Sequence, residues 1–419
     1  MSASLQMLLS KELNNKITYY LLLAFAFSFP FGNIYGTVLI ILISALWLLS
    51  GGIFSKLKTA FSKPLFLSFV SLFLIQFLWL INTQDFPRAF YLIQLNASIF
   101  VLPLLFSYYQ NSVINKNYKS ILKALLAGCF SVSAICMVLA VYNFSISGDA
   151  EYFFYNQLDM YFFHPGFLSI QMSLCLIALL LDFSDIKKLF LSQKFRIRKL
   201  ILIFWFILFI ALLSSKIGLI ALLLILIAAT FYSIYKIKSL AIRSGILLMP
   251  VLVIALILKS DIYDRVDRAI QSMTTTKNLN QNIESTALRI TAIKTTVELI
   301  EANWLVGVGT GDVWGDLRRY YFVEGKSGCL KEKVIPHNQY LNSFAKHGVI
   351  GLAVLLILLF FPLLKSYQQK NWLAFSFMIL LILNCTVEDV FEVQNGVVFS
   401  SFFYAYFFLL TPEPEENLS

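Results

Sequence analysis

The strongest constraint on this chain is the recurrence, from residue 17 to residue 411, of apolar stretches about as long as a bilayer is thick. A helix needs about 20 mostly apolar residues to cross the hydrocarbon core. Twelve segments read as such spans: 17–35, 36–53, 64–82, 87–108, 121–144, 164–182, 199–214, 217–235, 241–259, 348–366, 371–387 and 394–411. The hardest division lies within 199–235, because one helix of that length would run about 54 Å at 1.5 Å per residue. Ser214-Ser215-Lys216 is the place where it can fold into a hairpin. Only 13% of the residues are charged and 59% are hydrophobic, against about 25% and about 45–50% in soluble domains, which excludes an ordinary soluble enzyme. The expected fold is an all-α polytopic membrane protein of about twelve transmembrane helices, with 1–419 as one membrane domain. Within it, 260–347 forms a long loop subdomain between the ninth and tenth spans.

The net charge of +10 would suggest nucleic acid as a partner of a soluble protein. In a membrane protein the positive-inside rule explains it better. With the N-terminus in the cytoplasm, cytoplasmic segments hold Lys11, Lys16, Lys56, Lys58, Lys63, Lys116, Lys119, Lys123, Lys187, Lys188, Lys194, Arg196, Arg198, Lys199, Lys236, Lys238, Arg243, Lys365 and Lys370. The short outer loops hold Arg88 and Lys216, and the other cations fall from Lys259 onward along the long loop, where the rule does not apply. Both termini are therefore expected in the cytoplasm and the loop on the outer face. The stretch from Ile17 lacks a small-residue cleavage site after it and reads as a retained first span.

Chemistry in such a chain shows where polar groups break this pattern. Lys216 sits between two apolar helices on the cation-poor side, either as a snorkelling lysine on a tight turn or as a functional cation. Arg88, at a helix end, snorkels easily. Residues 285–304 read as an amphipathic helix, with Thr291, Lys294, Thr295, Glu298 and Glu301 on one face. Ala292, Ile293, Val297, Leu299 and Ile300 form the other face, and Arg289 falls in its middle, where it requires an anion or a structural ion pair. Residues 336–352 repeat the geometry. Asn338, Gln339, Asn342 and Lys346 make a polar face, and Tyr340, Leu341, Phe344 and Gly348 an inner one that carries His337. His164 is a third inward candidate at the outer mouth of the sixth span. The histidines lack the spacing of a zinc site. Gly307-Val308-Gly309-Thr310-Gly311 looks like a phosphate-cradling loop, but it follows a helix without a βαβ context and reads as a turn that ends it.

Together these residues resemble the O-antigen ligase/polymerase superfamily. The resemblance rests on the Arg-bearing helix, WLVGVGTGD, and HNQYLNSFAKHGVIGL opening an outer-to-inner span. The family's usual patterns there are a GxGxG turn and HNxYLxxxxExGxxGL. SSKIGLIALLL resembles the family's S-R-G/A segment, with Lys216 where arginine is usual. The resemblance implies a metal- and cofactor-independent glycosyltransferase with a GT-C-like fold at the periplasmic face of the bacterial inner membrane. In the ligase branch it would move a glycan from undecaprenyl diphosphate to a sugar hydroxyl of lipid A-core. By motif, Arg289 and Lys216 would hold the donor diphosphate, and His337 would activate the acceptor or bind phosphate. Arg88, His164, Asn338, Tyr340, Glu388 and Asp389 are weaker candidates for substrate contact. Implied partners are the lipid-linked donor, the lipid A-core acceptor and membrane lipids. The polymerase branch and a protein-directed oligosaccharyltransferase share donor and fold. A transporter is the non-enzymatic alternative, although it would usually show two related halves.

Overall fold

The computed structural model describes residues 11–109, 114, 117–160, 162, 164–184, 193–236 and 285–410. The ninth span, 241–259, and the first part of the long loop lie outside the described residues. Among the described residues the secondary structure is helical throughout, with no strand.

The N-terminal half begins with α1 (Lys11–Ser28), α2 (Asn33–Leu49) and α3 (Ile53–Phe61). The sequence reading took 36–53 as one span. It corresponds to α2, at whose end the chain bends by 113° between Tyr35–Leu49 and Ile53–Phe61, at the pair Gly51-Gly52. α4 (Pro64–Leu78) starts on a proline, whose fixed φ and missing N–H suit a first helical turn. α5 (Phe86–Leu95) is capped by Asp85, whose carboxylate accepts the Arg88 N–H at 3.0 Å. α6 (Ala97–Tyr108), α7 (Lys119–Ser147) and the short α8 (Tyr155–Leu158) follow. α9 (Pro165–Ser184), α10 (Gln193–Leu213) and α11 (Lys216–Lys236) make a packed trio, broken at Ser214-Ser215 where the sequence placed the hairpin. Among the described residues, four stretches are long and apolar enough to cross a membrane: Pro64–Asn82, Phe86–Tyr108, Lys119–Ser147 and Gln339–Gln368. Several of the remaining apolar helices are shorter than a full span.

Beyond the undescribed segment come α12 (Ser285–Asn303), α13 (Val313–Val323) and α14 (Ser327–Lys331). They share a small core of Leu288, Ala292, Leu299, Ile300, Val313, Leu317, Tyr321 and Cys329, separate from the main one. α15 (Gln339–Gln368), α16 (Trp372–Val387) and α17 (Gln394–Ala405) return the chain to the bundle. Aromatic side chains bind its ends together. Phe25 lies 4.9 Å from Phe402 and Phe29 5.1 Å from the same ring, pairs worth about 0.5–1.5 kcal/mol each beyond their buried area.

The glycine-rich segment 307–312 is a staple. Val308 and Gly309 donate their N–H groups to the carbonyls of Ala345 and Lys346, at 2.9 and 3.0 Å. Gly307 has φ +78°, and a Cβ there would lie 2.4 Å from the Lys346 carbonyl, so no larger residue fits. Asp312 accepts the N–H groups of Gln84 and Asp85 at 2.9 and 2.7 Å. Thr310 donates its hydroxyl to the Gln76 carbonyl at 3.0 Å. The segment's polar groups are spent on tying α4 and α5 to a kink in α15 at His347-Gly348, consistent with a turn and not with a phosphate cradle.

Candidate active site

Two helical faces are rotated from their sequence reading. In α12, Thr291 and Thr295 are buried, whereas Ile293 and Val297 are exposed. Threonines go inside because their hydroxyls find acceptors: Thr295 and Thr296 bond the carbonyls of Thr291 and Ala292, four residues back. Thr295 also accepts Lys326 Nζ at 2.6 Å. In α15 the polar set Gln339, Asn342 and Lys346 is the buried one, while Tyr340, Leu341 and Phe344 are half-buried. Reading faces from the sequence equates polar with outside, and beside α15 the neighbouring element is itself polar.

That element is the loop from α16 to α17, which carries Glu388, Asp389 and Glu392. It is joined to the start of α15 nearly residue by residue. His337 precedes the helix with φ +47°, a left-handed conformation that is uncommon for a side-chain-bearing residue. Its Nδ1 lies 3.4 Å from Glu388 Oε2. Asn338 donates its backbone N–H to Asp389 Oδ1 at 3.1 Å and its side-chain amide to the Thr386 carbonyl at 3.1 Å. Its side-chain oxygen caps α15 at Leu341 N. Gln339 Oε1 accepts the Phe391 N–H at 2.8 Å, and the Tyr340 hydroxyl donates to the Ile382 carbonyl at 3.1 Å. Lys346 and Glu392 form a buried ion pair at 2.5 Å. Periodicity could not find that pair, because its members are distant in sequence.

Other elements bring charge to the same place. Burial pushes the Glu388 carboxyl up, but the His337 hydrogen bond and the charges of His337, Arg289 and His164 outweigh it and hold the carboxyl below its usual range. Burial lowers the His164 imidazole, with Arg289 and His337 adding to the effect and Glu388 opposing it. His164, Arg289, His337 and Glu388 therefore share one electrostatic environment, although they come from α9, α12, α15 and α16 or the residues flanking them. His164 Nδ1 accepts the Gly166 N–H at 3.2 Å, which leaves Nε2 as the protonated nitrogen of the neutral ring. Asp389 is buried, and its carboxyl is pushed up to about 6 by desolvation and by the charge of Glu392.

Lys216 opens α11 beside this group. A Cβ built on Gly166 would lie 3.2 Å from His164 Nδ1 and 3.7 Å from Ile217 Cγ2, so His164 and the start of α11 are close neighbours. Gly218 makes the approach possible, since a Cβ there would sit 2.5 Å from Ser169 Cβ. Lys216 is exposed at the helix N-terminus, where the backbone dipole also favours an anion. Arg88 stands apart: its guanidinium lies 5.0 Å from the Tyr91 ring, and no contact ties it to His337 among the described residues.

Two or more cations, a half-buried histidine and a carboxylate on its Nδ1 make a site that can hold a polyanion and accept a proton beside it. No curated protein matches the chain in sequence. A family model described as O-Antigen ligase matches residues 201–356, a segment that contains Lys216, Arg289, His337, Asn338 and Tyr340. Members of that family are glycosyltransferase-like enzymes, and their substrates are lipid-linked glycans. Among the described residues the protein is all-helical, with several helices apolar enough to cross a membrane, and over residues 201–356 it is similar to the O-antigen ligase family.

Proposed function

We propose that the protein is a metal-independent, cofactor-independent glycosyltransferase that moves a glycan from undecaprenyl diphosphate onto a sugar hydroxyl of lipid A-core. It works at the periplasmic face of a bacterial inner membrane, with both termini in the cytoplasm. The observation that carries this reading is the convergence of Arg289, His164 and the His337–Glu388 pair beside the N-terminus of α11, where Lys216 stands.

In the reaction the acceptor hydroxyl oxygen forms a bond to the anomeric carbon as the bond from that carbon to the diphosphate oxygen breaks. The electron pair leaves with the diphosphate, and the hydroxyl proton goes to His337 Nε2. Arg289 and Lys216 hold the growing negative charge on the leaving group, an effect worth about 10²–10³ in rate for one well-placed donor. Glu388 keeps the proton of neutral His337 on Nδ1, so that Nε2 is free to act as the base, and it stabilises the imidazolium that forms. The 3.4 Å separation is long for a hydrogen bond, as catalytic pairs often are before substrate tightens them. Asn338, Tyr340 and Asp389 hold the His337 turn against α16. Lys216 binds phosphate as a point charge, without the bidentate fork of an arginine.

The test is transfer by purified protein from a glycan-linked undecaprenyl diphosphate, with and without lipid A-core, for wild type and His337→Ala. Product on lipid A-core that the variant does not form supports the ligase reading. Longer lipid-linked glycans made without that acceptor would make the protein a polymerase. No turnover of the donor would refute the transferase. A chelator should leave the rate unchanged, and Lys216→Arg should remain active where Lys216→Ala does not.

A further inference from the structure

A second cationic feature lies outside this site. α13 buries Val313, Leu317 and Tyr321, spaced four residues apart along one face. Its other face carries Gly315, Arg318, Arg319 and Phe322, again at spacings of three and four that align them on one side. α14 presents Ser327, Leu330 and Lys331 to them, and together the two faces line an open cleft of about 710 Å³. Three cations surround it. Among the described residues no carboxylate pairs with Arg318 or Lys331. Arg319 meets Asp316 at 3.5 Å, with its own side chain 74% exposed, a geometry in which an ion pair is worth little.

Gly315 adds an independent observation. It lies inside a helix, where glycine costs about 1 kcal/mol relative to alanine. Its φ is not positive, and a Cβ there would meet nothing within 4 Å. Neither packing nor backbone conformation calls for a glycine at this position. What its missing side chain leaves is space, at the wall of the cleft beside Arg318 and Arg319. Phe322 is 77% exposed and supplies an apolar face on the same wall.

We infer that this cleft binds a phosphate-bearing saccharide, the anionic sugar portion of the glycolipid acceptor, and so holds the acceptor while His337 acts on it. The guanidinium fork matches phosphate bidentately, an aromatic face suits the C–H surface of a sugar ring, and the open mouth admits a branched headgroup. The role as an acceptor site rests on the transferase reading above; the binding itself does not.

The experiment measures binding to the purified full-length protein in neutral detergent. The probes are delipidated phosphorylated core oligosaccharide, the same oligosaccharide after dephosphorylation, and vesicles of phosphatidylglycerol. The phosphorylated sugar should bind, more weakly at high salt, and the dephosphorylated one at least tenfold less tightly. Arg318→Ala with Lys331→Ala should raise Kd about tenfold or more, which is about 1.4 kcal/mol. Gly315→Phe should abolish binding by filling the cleft while leaving the melting temperature unchanged or higher, because the helix gains a better former. All three sites are solvent-facing, so these variants should fold, and Arg318→Lys should recover part of the affinity. Equal binding of both sugars, wild-type affinity in the variants, or binding to the vesicles alone would overturn the inference. Glycan transfer from the lipid-linked donor, measured on the same samples, separates the two readings. The cleft variants should raise the acceptor KM about tenfold or more, and no transfer by wild type would refute the transferase while leaving the saccharide result standing.

Discussion

Replacing Glu388 by glutamine tests the division of labour in the site with little change of shape. At 3.4 Å, a full charge on each of Glu388 and His337 interacts by about 5 kcal/mol at an effective dielectric of about 20. The His337 side chain is 33% exposed, so solvent and salt reduce this to about 2–3 kcal/mol for the imidazolium that develops in the transition state. That corresponds to roughly 30- to 160-fold in rate. The carboxamide has a second effect: its N–H₂ can donate to Nδ1, which moves the ring proton to Nε2 and removes the base. The expected result is a fall in kcat of about 10²-fold or more, with donor KM little changed because Arg289 and Lys216 are untouched. The assay is initial-rate glycan transfer at saturating acceptor, with donor varied. A Glu388→Gln enzyme within threefold of wild type, beside an inactive His337→Ala, would refute the pairing. A variant that raised only the donor KM would instead place Glu388 in ground-state binding.

Three further outcomes are expected. Arg289→Ala should cost about 10²–10³ in kcat while the protein keeps its elution profile in detergent; near-normal transfer would remove Arg289 from the site. Removing one member of the buried Lys346–Glu392 pair should destabilise by about 3–5 kcal/mol, and Lys346→Met with Glu392→Leu together by far less, as a thermal-melt double-mutant cycle would show. Asp389 titrates near 6 in the fold, above its ordinary value of 3.8, so the native state binds its proton more tightly than the unfolded chain does. That contribution to stability is present at low pH and declines as pH rises from about 4 to about 6. Asp389→Asn should flatten the decline in melting temperature over that window, and an unchanged slope would show that another group is responsible.

Much of the architecture was legible in the residue order, because bilayer length and periodicity are local properties. The break at Ser214-Ser215, the helix over 285–303 and the turn at Gly307 could be read from neighbouring residues alone. The same holds for Lys216, Arg289 and His337 as the groups that break the apolar pattern, since their cost in that setting does not depend on knowing their partners. The direction each helical face would point did not follow. Thr295, Gln339 and Lys346 are polar and buried, and each has a partner in another segment. Lys346 needs Glu392, 46 residues away. Gln339 needs the Phe391 backbone, and His337 needs Glu388. Such pairings depend on how α15 docks against the α16–α17 loop, which no window of sequence contains. Local physics in the chain determined which groups are costly enough to require a purpose, and tertiary packing alone decided which of them meet.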